Sequence, residues 1–263
     1  MTLEHFIHSL PAERDAGATF DAFLRTIGAD PRVLGAVLTG SQAREGMATT
    51  TSDYDVCVVV DDQAPDELVD VSGFRSPQLD LGVFRLEEFR DYARAGHEAS
   101  WDAYAFVGAK VVFDRADGLI NDLVARKAML TDEEAYRRVA DNLDAYTNSV
   151  YRSLKNHRDG RITAALLDAA ESLPYLLTVL FALHRRIRPY NKYLQWELEH
   201  RPLSGHCGAA PALLGCLQRI QADADPATQR SFFIRFESAA REQGHGPMLD
   251  AWGEDLRFLR SAP

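Results

Sequence analysis

The pattern of apolar and polar positions divides the chain into two textures, with the change near residue 115. Before it, short apolar runs alternate with turn-forming clusters. A helix is expected over about Phe20–Gly28, closed by Gly28 and the Asp30-Pro31 turn signal. Val33–Leu38 is a short continuous apolar run, the form a buried strand takes, and Gly40-Ser41 closes it. A loop of small residues, Met47–Ser52, leads to a second strand, Asp53–Val60. Leu79–Phe84 makes a third, with Leu79, Leu81 and Val83 alternating onto one face. A helix around Leu86–Ala95 and a strand near Lys110–Asp114 complete this half.

From about Ala116 the signals are helical. Thr131 and Glu134 form a capping box that opens a long helix reaching about His157. After Asp159-Gly160 comes a strongly apolar helix, Thr163–Arg186, which Pro189 is expected to end. Tyr190–His200, Ala209–Ala222 and Pro226–Gln243 supply further helices. No internal repeat or low-complexity linker interrupts them. The expected architecture is α+β: a domain with a small mixed β-sheet over 1–115, then a C-terminal α-helical bundle over 116–263.

Composition changes the picture mainly by exclusion. A chain of 263 residues suffices for one large domain or two modest ones. With 46% hydrophobic and 26% charged residues, neither disorder nor a fibrous architecture is indicated. No apolar run approaches the roughly 20 residues that cross a bilayer: Val33–Leu38 is short, and Leu173–Leu183 contains Pro and polar residues. The opening MTLEHFIHSLPAERD carries an acidic residue where a signal peptide wants Lys or Arg, and its apolar stretch is broken. A cytoplasmic location without a membrane partner is the expectation. The net charge of −10 argues against duplex DNA or tRNA, which are bound by neutralising phosphates, and is more congenial to a cationic ligand. Cys57, Cys207 and Cys216 lack metal-ligand spacing, and Cys57, inside an apolar strand, is expected to be a reduced core thiol.

Candidate chemistry centres on Ser52-Asp53-Tyr54-Asp55. Side chains two apart on a strand leave the same face, so Asp53 and Asp55 can share one divalent ion or bridge two. Mg²⁺ prefers oxygen ligands and is usually held by few carboxylates together with substrate phosphates. An isolated Asp-x-Asp is common; its surroundings give this one weight. Tyr54, Val56, Val58 and Val60 face away from the acids. Gly40-Ser41 stands where a strand is expected to feed a short helix, whose free N–H groups suit a phosphate. Ser41 and Ser52 add hydroxyl donors. Asp80, in mid-strand, carries a charge that is costly unless paired or metal-bound. On a sheet edge facing Asp53 and Asp55 it completes a carboxylate triad.

The stretch LTGSQAREGMATTTSDYDVCVVV resembles the signature of the DNA polymerase β-like nucleotidyltransferase superfamily. Gly-Ser, a spacer, Asp-x-Asp on a strand and a third carboxylate on a later strand, here Asp80, all match over residues 33–85. The helical half is similar in layout, and in RRIRPYNKYLQWELE, to bacterial nucleotidyltransferase-domain proteins. The bacterial aminoglycoside and lincosamide nucleotidyltransferases look most similar. The resemblance implies that Gly40, Ser41 and Ser52 cradle a nucleoside triphosphate and that Asp53, Asp55 and Asp80 bind Mg²⁺, as a two-metal site. A nucleoside monophosphate, with AMP from ATP as the expected group, would pass to a hydroxyl of a small antibiotic-like acceptor with release of pyrophosphate. The signature is fairly specific for the superfamily and weak for the acceptor.

Further residues carry paired readings. Arg44 is a candidate phosphate contact, or a surface arginine in a loop. Relatives use a Glu or Asp as general base, which implies that role for Glu171, with Asp168 touching a cationic substrate; the alternative is helix carboxylates paired with Arg. Pro174 should kink this helix and free the carbonyl of Ala170. Lys192 opposes the dipole of the helix it opens, which suggests a triphosphate contact from the helical side. Tyr193 or Tyr190 is placed to stack on a base or sugar, or to pack in the core. The run His184-Arg185-Arg186 with Arg188 suits phosphates or the helix dipole. His97, His157, His200, His206 and His245 have ordinary surface roles by default. Competing functions are nucleotidylation of a protein and a non-catalytic nucleotide-binding module, and both monomer and homodimer are compatible with the sequence.

Overall fold

The structure, a computed structural model, describes residues 2–10, 15–94, 103–204 and 210–261. Cys207, His97 and His206 lie outside the described residues, as do the last residue of the expected Leu86–Ala95 helix and the first of Ala209–Ala222. The chain is mixed α and β, with a small four-stranded mixed sheet, and divides into two compact units, Met1–Met129 and Leu130–Pro263.

The first unit runs α1 (Leu3–His8), α2 (Ala16–Ala29), β1 (Val33–Leu38), β2 (Tyr54–Val60), α3 (Asp66–Val69), β3 (Leu79–Arg85), α4 (Leu86–Tyr92), α5 (Ala103–Phe106), β4 (Lys110–Asp114) and α6 (Leu119–Lys127). Its sheet has the order β3-β2-β1-β4. β1 is antiparallel to both neighbours, whereas β2 and β3 are parallel, with α3 in the crossover that parallel pairing demands. Both faces of the sheet are covered. Phe6 of α1 and Phe20, Phe23 and Ile27 of α2 pack with Leu38, Val56, Val58, Leu79 and Leu81. On the opposite face Val37 and Val59 meet Phe89, Phe106, Ile120, Leu123 and Val124. This explains why β1 reads as an unbroken apolar run instead of an alternating one.

Three local features differ from expectation, each for a physical reason. α2 starts before Phe20 because the Asp15 carboxylate accepts the Ala18 N–H at 2.9 Å, capping a first turn with little apolar signal. α1 is too short for its periodicity to stand out, yet buries Leu3, Phe6 and Ile7. α6 packs on the sheet beyond residue 115: a Cβ on Gly35 would lie 2.4 Å from Ile120 Cδ1, so that helix rides directly on β1 where only glycine leaves room.

The second unit comprises α7 (Asp132–Arg158), α8 (Ile162–Ala182), a 3-10 turn (Asn191–Tyr193), α9 (Leu194–His200), α10 (Ala210–Asp223), α11 (Pro226–Glu242), α12 (Gly246–Asp250) and α13 (Glu254–Arg260). Thr131 and Glu134 cap α7 reciprocally, as expected. α7 and α8 form the principal pair of the unit, with Tyr146 buried against Phe233 and Phe236 of α11. α8 passes through Pro174 but ends at Ala182, short of Pro189. There Arg185 turns to φ 55 and the Arg186 N–H closes onto the Phe181 carbonyl at 2.9 Å, a Schellman-type stop that outruns the proline.

By length and composition α8 is apolar enough to cross a membrane, contrary to the run-length expectation, though half of its most apolar window is buried inside the structure. Its buried positions and its Asp168 ion pair are those of a bundle-core helix.

Candidate metal centre

Asp53 immediately precedes β2 and Asp55 is its second residue, so the pleat sends both side chains to one face. Parallel pairing sets Asp55 directly beside Asp80 of β3. One carboxylate oxygen from each of Asp53, Asp55 and Asp80 lies within 4.8 Å of the others, and all three residues are partly exposed. Further along the same face, Cys57 and Val59 on β2 and Phe84 on β3 enter the apolar layer under α4 and α6. The acids thus occupy the end of an otherwise apolar face. Cys57 there is partly buried.

Carboxylates this close repel one another by about 1 kcal/mol per pair even at the dielectric of water, and by more in a protein cleft. The cluster therefore favours a cation. One is supplied internally: Arg75 Nε lies 3.0 Å from Asp80 Oδ2. No motif or spacing in the sequence pointed to Arg75.

Gly40 fits the site in a way that its sequence context did not indicate. Its φ is +65°, and a Cβ there would stand 1.7 Å from Asp55 Oδ2. The glycine clears the volume that the Asp55 carboxylate fills. Thr39 anchors the same strand end, its N–H donating to the Asp55 carbonyl at 2.8 Å. Ser41 is buried in the turn that follows, and its carbonyl accepts the Arg44 N–H at 3.2 Å. No helix begins at Gly40-Ser41: residues 40–47 form successive turns, so the helix-terminus cradle expected for phosphate is replaced by a turn.

Arg44 is corrected most sharply. It is buried, and its guanidinium donates to the carbonyls of Gly40 at 2.6 Å, Tyr104 at 2.9 Å and Val107 at 2.7 Å. Donors directed at backbone carbonyls hold the turn in place and are not presented to a phosphate. Ser52 is likewise engaged locally, its Oγ accepting the Thr49 N–H at 2.9 Å, while Gln42 Nε2 reaches the Ser52 carbonyl at 3.3 Å.

Asp168, Glu171, Lys192 and Tyr193 belong to the second unit. Asp168 is buried, with Oδ1 held by Arg152 Nε and a guanidinium NH₂ and Oδ2 held by Asn156 Nδ2 at 2.8 Å. The Arg-paired alternative describes it, and its oxygens are committed within the bundle. Those bonds raise the Arg152 pKa. Glu171 is half exposed and takes one Arg152 hydrogen bond at 2.6 Å. Tyr193 is buried, in line with its core-packing alternative, whereas Lys192 is exposed. The basic run is dispersed: Arg185 pairs with Asp132, and Arg186 with the buried Glu197. Arg188 donates to the Pro174 carbonyl and Asn191 Oδ1, and burial lowers its pKa. His245 is buried against Tyr136, not a surface residue.

No protein-family model matches the chain, and no curated protein matches it either.

Proposed function

We propose that the chain is a divalent-metal-dependent nucleotidyltransferase that moves a nucleoside monophosphate, in the first instance AMP from ATP, to a hydroxyl of a small cationic acceptor resembling an aminoglycoside or lincosamide. The observation that carries this reading is the convergence of Asp53, Asp55 and Asp80 within 4.8 Å at the start of two parallel strands. An all-carboxylate, partly open donor set suits Mg²⁺, which takes its remaining ligands from water and phosphate. Held there, a divalent ion supplies charge neutralisation for the phosphates and eases attack of a hydroxyl on the α-phosphorus.

The chain's own part is preorganisation. Strand register sets Asp80 beside Asp55. Gly40 leaves the Asp55 carboxylate its space, and Arg44 pins the turn that carries Gly40. Ligands fixed before substrate arrives need little reorganisation during reaction. The net charge of −10 supports a cationic acceptor.

The test is incubation with labelled nucleotide, Mg²⁺ and a panel of hydroxyl-bearing acceptors. Transfer to a small molecule that disappears in Asp53→Asn is the expected result. ATP binding without turnover on any acceptor, unaffected by Asp55→Asn, would overturn the reading. Label on a polypeptide would redirect it to protein nucleotidylation.

A further inference from the structure

Arg75 stands out among the arginines of the first unit because its partner is a member of the carboxylate cluster. The segment from Gly73 returns antiparallel along the outer edge of β3, with the Gly73 N–H donating to the Leu81 carbonyl at 2.7 Å and the Leu81 N–H to the Phe74 carbonyl at 3.0 Å. Arg75 bridges to Asp80 through its backbone and meets Asp80 Oδ2 at 3.0 Å through Nε. Backbone bonds hold the segment, but the side chain is held only lightly, since 80% of it is exposed. Arg44, by contrast, is locked by three carbonyls. A light attachment beside three mutually repelling carboxylates is what a replaceable counter-ion requires. A divalent ion relieves more repulsion than a single guanidinium and competes for the same oxygen.

We propose that Arg75 is the resident counter-ion of the carboxylate cluster, displaced from Asp80 when a divalent ion binds and thereby freed to take a phosphate oxygen of the nucleotide. The planar guanidinium suits that second partner as well as the first. The inference rests on the metal-dependent reading above, and the experiment keeps the two apart.

Mn²⁺ binding is measured on the full chain by electron paramagnetic resonance or calorimetry, for the unaltered protein, Arg75→Gln and Asp55→Asn. Affinity for a non-hydrolysable ATP analogue is then measured with Mn²⁺ saturating. Losing an exposed ion-pair competitor should tighten Mn²⁺ binding roughly two- to fivefold in Arg75→Gln, while the analogue binds several-fold more weakly and Arg75→Lys recovers part of both effects. Opposite signs are not what a residue that merely closes the edge of β3 would give. If Asp55→Asn abolishes Mn²⁺ binding but Arg75→Gln leaves it unchanged or weaker, the displacement is overturned and the metal site stands. Tighter Mn²⁺ with unchanged analogue affinity overturns the transfer to phosphate. No Mn²⁺ binding by the unaltered protein, or equal binding by Asp55→Asn, overturns the metal-dependent reading and this inference with it.

Discussion

Gly40 and Asp55 share one volume: the place a Cβ on Gly40 would take lies 1.7 Å from Asp55 Oδ2. The glycine of the Gly-Ser pair thereby belongs to the carboxylate cluster instead of to a phosphate-binding helix start. Gly40→Ala should be strained twice, by a Cβ at φ +65° and by collision with the carboxylate. The backbone part alone is worth about 1–2 kcal/mol. Loss of Mn²⁺ binding together with a fall in Tm is the expected outcome. A Gly40→Ala protein that binds Mn²⁺ like the unaltered chain would show that Asp55 is not needed where it stands.

Arg44→Ala should act on stability first. The buried guanidinium donates to the carbonyls of Gly40, Tyr104 and Val107, and their loss is expected to cost about 2–4 kcal/mol in urea unfolding. Arg44→Lys should rescue little, because one ammonium cannot reproduce the planar fork. Unchanged stability with a tenfold rise in the KM for nucleotide would return Arg44 to the phosphate-binding role.

Asp168 and Glu171 separate structure from chemistry on one helix. Asp168→Ala leaves the Arg152 and Asn156 donors without their shared acceptor and should destabilise the protein by about 1–3 kcal/mol. Glu171→Gln removes a half-exposed partner of Arg152, worth at most about 1 kcal/mol. If Glu171 is the general base that the family resemblance implies, Glu171→Gln lowers kcat by roughly 10²–10⁴-fold and removes the acidic limb of the pH–rate profile. A fully active Glu171→Gln enzyme would confine the residue to the ion pair.

His245 should make stability depend on pH. It is buried against Tyr136, and its Nδ1 has no hydrogen-bond partner among the described residues. Burial holds its pKa below the ordinary value of 6.5. The unfolded chain therefore takes up a proton at a pH where the folded chain does not. Stability is full above the unfolded value and falls as pH drops from there toward the folded value. Thermal unfolding between pH 7.5 and 5 should show that decline, and His245→Phe, which keeps the stacking, should flatten it. An unchanged slope in His245→Phe would assign the dependence to other groups.

Sequence pattern alone located β1 and β4, placed β2, β3 and the start of α8 to within a residue, and identified the Thr131–Glu134 cap. Each is signalled within a few residues, by a cap, an unbroken apolar run or alternation, and such signals survive without tertiary information. The Asp-x-Asp spacing likewise sufficed to put Asp53 and Asp55 on one face, since pleat geometry is local. Its mid-strand charge made Asp80 a candidate third carboxylate, but its place beside Asp55 depends on the parallel register of β2 and β3, which no linear pattern specifies.

What lay beyond the sequence depended on partners distant in the chain. Arg44 looked free for phosphate because the carbonyls of Tyr104 and Val107 are about sixty residues away. Tyr193 carried both a stacking and a core reading and is buried, while α8 stopped at a left-handed Arg185 before Pro189 could act. Arg75 had no motif at all, and its meaning comes from a return of the chain along β3. The sequence by itself determined which residue types are present and which share a face. The tertiary structure decided which charges are already committed to one another, because that depends on distance in space and on how much water remains between them.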